Sequence, residues 1–182
     1  DDSVKDASPD VEYTASGSLM LLWYKENRIV QSDTLVPSTF TTVAETGVSS
    51  GAADFSLAVG SGNNISVVWQ DASYEGVDLW TATYDPDSHV WSFPYQLTSD
   101  IDLERNITAG YDSGKLVLVY NKAEVIETEE QISIGQSNLC WQERQIGTDL
   151  AISADDVSFS PANPVPGGEC AITAVIHNLG DL

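Results

Sequence analysis

Residues 63–98 read NNISVVWQDASYEGVDLWTATYDPDSHVWSFPYQLT, and this stretch determines the expected fold. Ile65 to Gln70 is rich in β-branched and aromatic residues, whereas Leu79 to Tyr84 and Trp91 to Leu97 alternate apolar with polar residues. The sequences DASYEG and DPDS, which lie between these runs, have the composition of turns. The stretch therefore predicts three short strands that meander along one sheet.

An apolar run that ends in an aromatic residue occurs three times along the chain. The runs are GSLMLLWYKE, NNISVVWQD and GKLVLVYNK, and they align Trp23, Trp69 and Tyr120. The separations are 46 (69−23) and 51 (120−69) residues, close to the period of roughly 40 to 50 residues that four-stranded repeat units require. Each run follows a further predicted strand, at 10–15, 53–59 and 106–111, across a short polar turn.

The chain beyond Tyr120 predicts a hairpin and then a second domain. Residues 124–134 alternate apolar and polar side chains, and residues 137–146 are able to pair back on them. A new segment starts at Thr148, with short strands expected at 155–160 and 170–178 and a proline-rich turn between them. No stretch shows helical periodicity for more than two turns. We therefore expect an all-β chain with domains at 1–147 and 148–182.

The phrase Val68-Trp-Gln-Asp71, followed by Gly76-Val-Asp78-Leu-Trp80, resembles the repeat of secreted prokaryotic β-propellers, including the propeller of the Tol-Pal translocation protein. In those blades Trp and Asp close one strand, and an Asp-Leu-aromatic sequence opens the next. The resemblance covers roughly residues 10–125 and implies β-propeller-type blades. The first and third repeats keep the aromatic strand and lack the Gly-x-Asp.

The C-terminal stretch resembles a second family. Thr148-Asp-Leu-Ala-Ile, then VSFSPANPVPGG at 157–168 and ITAVIHNLGD at 172–181, are similar to the opening of a CARDB domain, the cell-adhesion-related Ig-like sandwich of prokaryotic surface proteins. The resemblance implies an adhesion or spacer module outside the cell, and it covers two or three strands of a sandwich that needs about seven. We therefore expect a partial Ig-like β-sandwich.

Two or three blades make an incomplete propeller, because closure takes at least about four. Two explanations stay open. Either the chain is a fragment of a longer polypeptide, or neighbouring copies complete it by self-association through open β edges.

The charge of the chain limits its partners. Acidic residues outnumber basic ones 28 to 7, which leaves a formal charge of −21. Such an acidic protein repels nucleic acid and anionic lipid, so we expect neither nucleic-acid binding nor attachment to a membrane surface. The longest apolar run, Leu19 to Tyr24, is too short to span a bilayer, which takes about 20 residues, so we expect no membrane insertion. A protein or a glycan at the cell surface is the expected partner.

A cation loop is the first candidate site. Asp71, Ser73 and Glu75 place oxygen-bearing side chains at alternate positions, Gly76 occupies the sixth position, as in a Ca²⁺ loop, and Asp78 follows at the eighth. The acid that an EF-hand carries at its twelfth position is replaced by Ala82. The sequence is therefore compatible with a Ca²⁺ site or with a polar turn in which Asp71 accepts local backbone hydrogen bonds.

An aromatic platform for sugar rings is the second candidate site. Trp80, Trp91 and Tyr95 are its candidate ligand-binding residues, although tryptophans at repeat positions also form the core between blades. Candidate catalytic residues are lacking, because a nucleophile–His device would need His89 or His177. His89 is most simply a solvated loop residue, and His177 is most simply structural. Cys140 and Cys170 form either one disulfide or two reduced thiols.

The function expected from these observations is non-catalytic: adhesion, recognition or scaffolding by an extracellular or cell-surface protein. Two alternatives from other classes remain. One is an exported hydrolase whose catalytic residues lie outside this chain, and the other is a structural subunit that polymerises by strand exchange.

Overall fold

A computed structural model of the chain describes residues 6–34, 39–47, 54–72, 76–128, 131–146, 150–151, 156–160 and 171–178. These residues lie mainly in β-strands and contain no α-helix, which confirms the all-β class. No helix in the described part of the chain is able to cross a membrane. The chain divides into a larger unit, Asp1–Arg144, and a smaller unit, Gln145–Leu182.

The strands of the larger unit are numbered in chain order. They are β1 (Asp6–Tyr13), β2 (Leu19–Lys25), β3 (Arg28–Ser32), β4 (Thr41–Glu45), β5 (Phe55–Val59), β6 (Ile65–Ala72), β7 (Val77–Asp85), β8 (Val90–Trp91), β9 (Tyr95–Gln96), β10 (Leu103–Asp112), β11 (Lys115–Glu127) and β12 (Ile132–Arg144).

The strands form three consecutive segments. Segment 1 is the antiparallel meander β1-β2-β3-β4. Segment 2 is the antiparallel set β5-β6-β7, with β8 and β9 both paired to β7. Segment 3 is the antiparallel meander β10-β11-β12. One parallel bridge, Leu103 to Val77, connects segment 3 to segment 2.

The segments stack face to face in chain order. Even-numbered residues of β2 and odd-numbered residues of β6 form one buried apolar cluster between segments 1 and 2, exemplified by Leu22 and Val67. The opposite face of β6 meets segment 3, because the Ser66 hydroxyl lies 2.6 Å from the Tyr111 hydroxyl. Leu116 and Leu118 lie on one face of β11, and both are fully buried. Segment 2 is thus covered on both faces, as its continuous apolar run predicts.

The three aligned aromatics occupy equivalent places. Trp23, Trp69 and Tyr120 lie in the second strand of their segments and are buried. The register agrees as well, because the residue before each aromatic pairs with the first strand at one shared position. The residues at this position, called the register position below, are Asp10, Ser56 and Thr108.

A bulge recurs in the first strand of segments 1 and 3. The pairing shifts between Ala7 and Asp10 in β1 and between Arg105 and Thr108 in β10. The bulges contain Ser8 and Asn106, whose φ values are 49° and 53°. Segments 1 and 3 thus share the place of a bulge as well as the register position.

The strand expected at 91–97 is divided in the structure. β8 and β9 lie at its two ends, and Pro94 falls between them. Proline has no N–H for the ladder, so pairing with β7 stops and resumes beyond it. Phe93 is 94% exposed at this interruption.

The hairpin expected after Tyr120 has its turn at a different place. β11 runs on to Glu127, and the Thr128 N–H donates to the Gln131 carbonyl across the turn at 2.9 Å. Ile132 and Ile134 therefore belong to the second strand, whereas the sequence placed them in the first. Alternation does not distinguish the two assignments, because both keep the same period of two.

The smaller unit contains two short antiparallel pairs. β13 (Leu150–Ala151) pairs with β16 (His177–Asn178), and β14 (Val157–Ser160) pairs with β15 (Ala171–Ala174). Phe159 and Ile172 are cross-strand partners, and both are exposed.

Candidate functional site

A polar pocket of about 460 Å³ opens where segments 1 and 2 meet. The β1–β2 turn, the end of β3, the start of β4 and the β7–β8 turn form its walls. Tyr84 and Phe40 contribute aromatic surface, and Asp33 contributes a carboxylate. Hydroxyl side chains dominate the rest of the lining, namely Thr14, Ser16, Ser18, Ser32, Thr39 and Thr41.

Gln31 organises the inner wall of the pocket. Its Oε1 accepts a hydrogen bond from Nε1 of Trp91 at 2.8 Å, between residues 60 positions apart in the chain. The Trp91 ring packs against Tyr84, with 5.2 Å between ring centroids. These contacts fix two aromatic rings and one amide, so the wall is built before any ligand arrives.

His89 closes the pocket from the β7–β8 turn. Its Nδ1 is hydrogen-bonded to the Tyr84 hydroxyl at 2.9 Å. The turn is held by Asp85, whose carboxylate accepts the Ser88 hydroxyl at 2.6 Å and the Asp87 N–H at 3.0 Å. Both bonds lower the pKa of Asp85. His89 has φ 58°, an uncommon value for a non-glycine residue.

The phenol of Tyr84 stays protonated at neutral pH. Burial raises the pKa of Tyr84, a hydrogen bond with Gln31 opposes the shift, and the charges of Asp33 and Asp85 add to it. Tyr84 therefore offers the pocket a neutral hydroxyl that donates and accepts hydrogen bonds.

The aromatic platform residues are separated by the register of the sheet. Trp80 and Trp91 are half-buried and pack against the core between segments 1 and 2. Tyr95 pairs with Thr81, the neighbour of Trp80 on β7, and neighbouring residues of a strand face opposite sides. Trp91 therefore adjoins the polar pocket, whereas Tyr95 lies on the other face of the sheet.

The cation-loop residues are described only in part. Asp71 and Asp78 are direct cross-strand partners, whereas Ser73 and Glu75 lie outside the described residues. Asp71 accepts the Gly47 N–H, and Asp78, which is buried, accepts the Gln96 amide at 3.0 Å.

Burial raises the pKa of Asp71, and backbone N–H donors partly offset the shift. Within the described ranges, no three His, Cys, Asp or Glu side chains lie where they could hold a metal ion. The two interpretations of this loop, a Ca²⁺ site and a polar turn, both stay open.

A partly buried acidic cluster lies between β7, β10 and β11, with Asp78 and Glu104 as its buried members. Lys122 contacts three carboxylates: it is ion-paired with Asp100, and its Nζ lies 3.6 Å from Asp102 and 3.4 Å from Glu104. Asp78 accepts the Asp100 N–H at 3.3 Å. The cluster therefore connects the turn that leads into segment 3 to the start of β7 in segment 2.

The pKa values of Glu104 and Lys122 are both raised, for different physical reasons. Burial and the charge of Asp100 raise the pKa of Glu104 to about 7, against the opposing effect of Lys122. Burial lowers the pKa of Lys122, but the hydrogen bond and the charge of Asp100 outweigh it, so the net shift is upward. Lys122 is thus shared among three acids, and its charge does not return the pKa of Glu104 to the ordinary value.

The polar pocket brings hydroxyl, amide, carboxylate and aromatic groups together at one place, whereas the acidic cluster joins segments. Comparison of the chain with models of protein families, with curated proteins and with solved structures finds no match. The ligand of the pocket is therefore inferred from its lining residues.

Sequence reasoning did not find Gln31, Asp33 and Tyr84, and it treated His89 as a solvated loop residue. Tyr84 stands at the end of a predicted strand directly before the DPDS turn, which is the one local signal that pointed toward this place. His177, the second histidine considered for catalysis, lies in β16 of the smaller unit.

Proposed function

We propose that this protein is a non-catalytic recognition protein of the cell exterior whose polar pocket binds a neutral glycan. The observation that carries the proposal is the pocket itself. Six Ser or Thr side chains surround it, with Tyr84, Gln31 and Asp33 among its other polar groups. Hydroxyl, amide and carboxylate groups pair with sugar hydroxyls, and a few convergent polar groups beside aromatic surface are typical of small-ligand sites.

Apolar surface supports the same ligand class. Phe40 is 43% exposed at the pocket, and Tyr84 is only half-buried. The C–H faces of a sugar ring pack well against such rings. A net charge of −21 disfavours anionic ligands, so an uncharged glycan is the preferred class.

The wider architecture that we propose is a set of propeller-type blades followed by a partial Ig-like module. Three face-to-face segments with one shared register position support the blades. The two short strand pairs of the smaller unit support the module. Placement outside the cell rests on the resemblance of these parts to secreted and surface proteins.

Calorimetric titration with a panel of neutral oligosaccharides tests the proposal. We expect binding by the native chain and a loss of about tenfold or more in Tyr84→Phe, which removes one hydroxyl from the pocket wall. Tyr95→Phe is the matched control, because Tyr95 lies on the opposite face and should leave affinity unchanged. Equal affinity in Tyr84→Phe and the native chain would contradict the proposal, as would an absence of binding across the panel.

The same mixtures test for catalysis. Chromatography of the oligosaccharides after prolonged incubation should show unchanged chain lengths. Shortened products would instead favour the exported hydrolase.

A further inference from the structure

One hydrogen bond links successive segments in the same way twice. Asp10 of segment 1 accepts the Leu57 N–H of segment 2 at 2.9 Å through Oδ2. Ser56 of segment 2 accepts the Ala109 N–H of segment 3 at 3.0 Å through its hydroxyl. Asp10 and Ser56 both hold the register position, and each donor follows the register position of the next segment. The same hydrogen bond therefore joins segment 1 to segment 2 and segment 2 to segment 3.

In segment 3, the residue that corresponds to Asp10 and Ser56 is an acceptor without a donor among the described residues. Thr108 holds the register position in β10 and is exposed. Among the described residues nothing bonds its hydroxyl. Its face of the sheet carries an apolar patch, since Thr108 pairs with Val119, which pairs with Trp141 of β12, and Asn121 and Glu143 flank this patch on the same face. Trp141 is 69% exposed, and Leu139 on the same face is 75% exposed.

Segment 1 presents the matching donor face. Val11 follows Asp10, so its N–H corresponds to those of Leu57 and Ala109, and Asp10 Oδ1 of its own segment holds it at 2.9 Å. Val11 and Tyr13 are exposed. They pair with Leu21 and Leu19, on the face of β2 that carries Trp23. In segments 2 and 3 the face that carries the aligned aromatic is the one covered by the preceding segment.

We propose that the apolar face of segment 3 docks on the outer face of segment 1 in a second copy of this chain. The proposal rests on the propeller-type architecture proposed above, but not on the glycan pocket. Thr108 would then lie beside the Val11 N–H of the other copy, and it would share or replace the bond that Asp10 Oδ1 accepts in the single chain. Two copies related by a two-fold axis make two such contacts and join six segments, a number within the four to eight that closed propellers contain. A dimer therefore satisfies both open faces.

Charge sets the conditions for this association. Each copy carries a formal charge of −21, so two copies repel each other at low ionic strength. Salt screens this repulsion and leaves apolar burial unaffected or stronger. Dimerisation should therefore strengthen between 0.02 M and 0.5 M NaCl, opposite to an association based on ion pairs.

Analytical ultracentrifugation of the full chain in 0.5 M NaCl provides the test. The monomer has a mass of 19.6 kDa, so the expected species has about 39 kDa, twice that value. Trp141→Glu and Val11→Glu change one face each and should each weaken the dimer about 30-fold or more. Both residues are exposed in the single chain, so folding should be unchanged, as circular dichroism will show. Phe93→Glu, at a fully exposed site away from both faces, is the control and should leave the mass at about 39 kDa.

A mixture of the Trp141→Glu and Val11→Glu chains distinguishes this arrangement from a symmetric pairing of like faces. The mixture contains one intact pair of faces, so it should form more dimer than either variant alone. A native chain that stays monomeric in high salt would overturn the proposal, since both faces would then be covered within one chain or stable without a cover. Polymers, or a dimer that neither variant weakens, would overturn it as well. Loss of glycan binding with an intact dimer would instead contradict only the pocket assignment.

Discussion

The ammonium nitrogen of Lys122 lies 3.4 Å from Oε1 of Glu104, a residue with no exposed surface. The two residues stand on neighbouring strands as direct partners. Lys122 is also shared with Asp100 and Asp102, so its charge is divided among three acids. Glu104 is thus a fully buried carboxylate, and its cationic partner is also paired with Asp100 and Asp102.

The first prediction is a loss of stability as pH rises, caused by Glu104. Its pKa is raised from 4.5 to about 7 in the folded chain. The folded state therefore holds a proton that the unfolded chain releases, and the stabilisation present below pH 4.5 disappears as pH passes 7. The shift corresponds to roughly 3 kcal/mol. Urea unfolding from pH 5 to 8 should show this loss in the native chain and not in Glu104→Gln, and equal pH dependence in both would contradict it.

The second prediction concerns Lys122 itself. Lys122→Met leaves Glu104 buried beside two acids without a cation, so we expect a loss of roughly 3 kcal/mol at pH 8. The loss should be smaller at pH 5, where Glu104 is protonated. Lys115→Met is the control, because Lys115 and Glu143 form an exposed pair at 3.1 Å, and such pairs contribute at most about 1 kcal/mol. An equal effect of the two substitutions in urea unfolding would contradict this prediction.

The strands follow from the sequence because their evidence is local. Alternation and the aligned aromatics place the first two strands of each segment, and burial of Trp69 and Tyr120 follows from the same pattern. Pro94 shows where alternation fails to predict a strand, since its missing N–H divides a strand whose side chains alternate without interruption. Alternation also fails to place the turn after Glu127, because a turn there and a turn after Ile134 keep the same side chains on one face.

The polar pocket could not be predicted from local patterns, because its walls come from distant parts of the chain. Gln31 and Trp91 are hydrogen-bonded across 60 positions. Hydroxyl residues such as Ser16 and Thr41 are common in turns and strand ends, so neither stands out in the sequence. Only the stacking of segment 1 on segment 2 makes these groups converge.

The third prediction explains the glycine of the Gly-x-Asp phrase. A Cβ at Gly76 would lie 2.8 Å from the Asp100 carbonyl oxygen and 3.1 Å from those of Ile101 and Asp102. Backbone atoms at such distances must move, so Gly76→Ala should cost about 1 to 3 kcal/mol. Gly110→Ala is the control, because nothing lies within 4 Å of its added Cβ. Thermal unfolding of both variants measures the difference. Similar melting temperatures would contradict the prediction, because the backbone at 100–102 would then move away from the added Cβ without loss of stability.

The fourth prediction concerns removal of divalent cations. Asp71 accepts the Gly47 N–H, and Asp78 accepts the Gln96 amide and the Asp100 N–H. These bonds already connect segment 1, segment 2 and the turn into segment 3, so both carboxylates have a role in the fold without a cation. We expect the same melting temperature in EGTA and in millimolar CaCl₂. An increase of several degrees in CaCl₂ that Asp71→Asn abolishes would establish the Ca²⁺ loop. Asp85→Asn is the matched control, because Asp85 caps the separate turn at 85–88 and should leave any Ca²⁺ response in place.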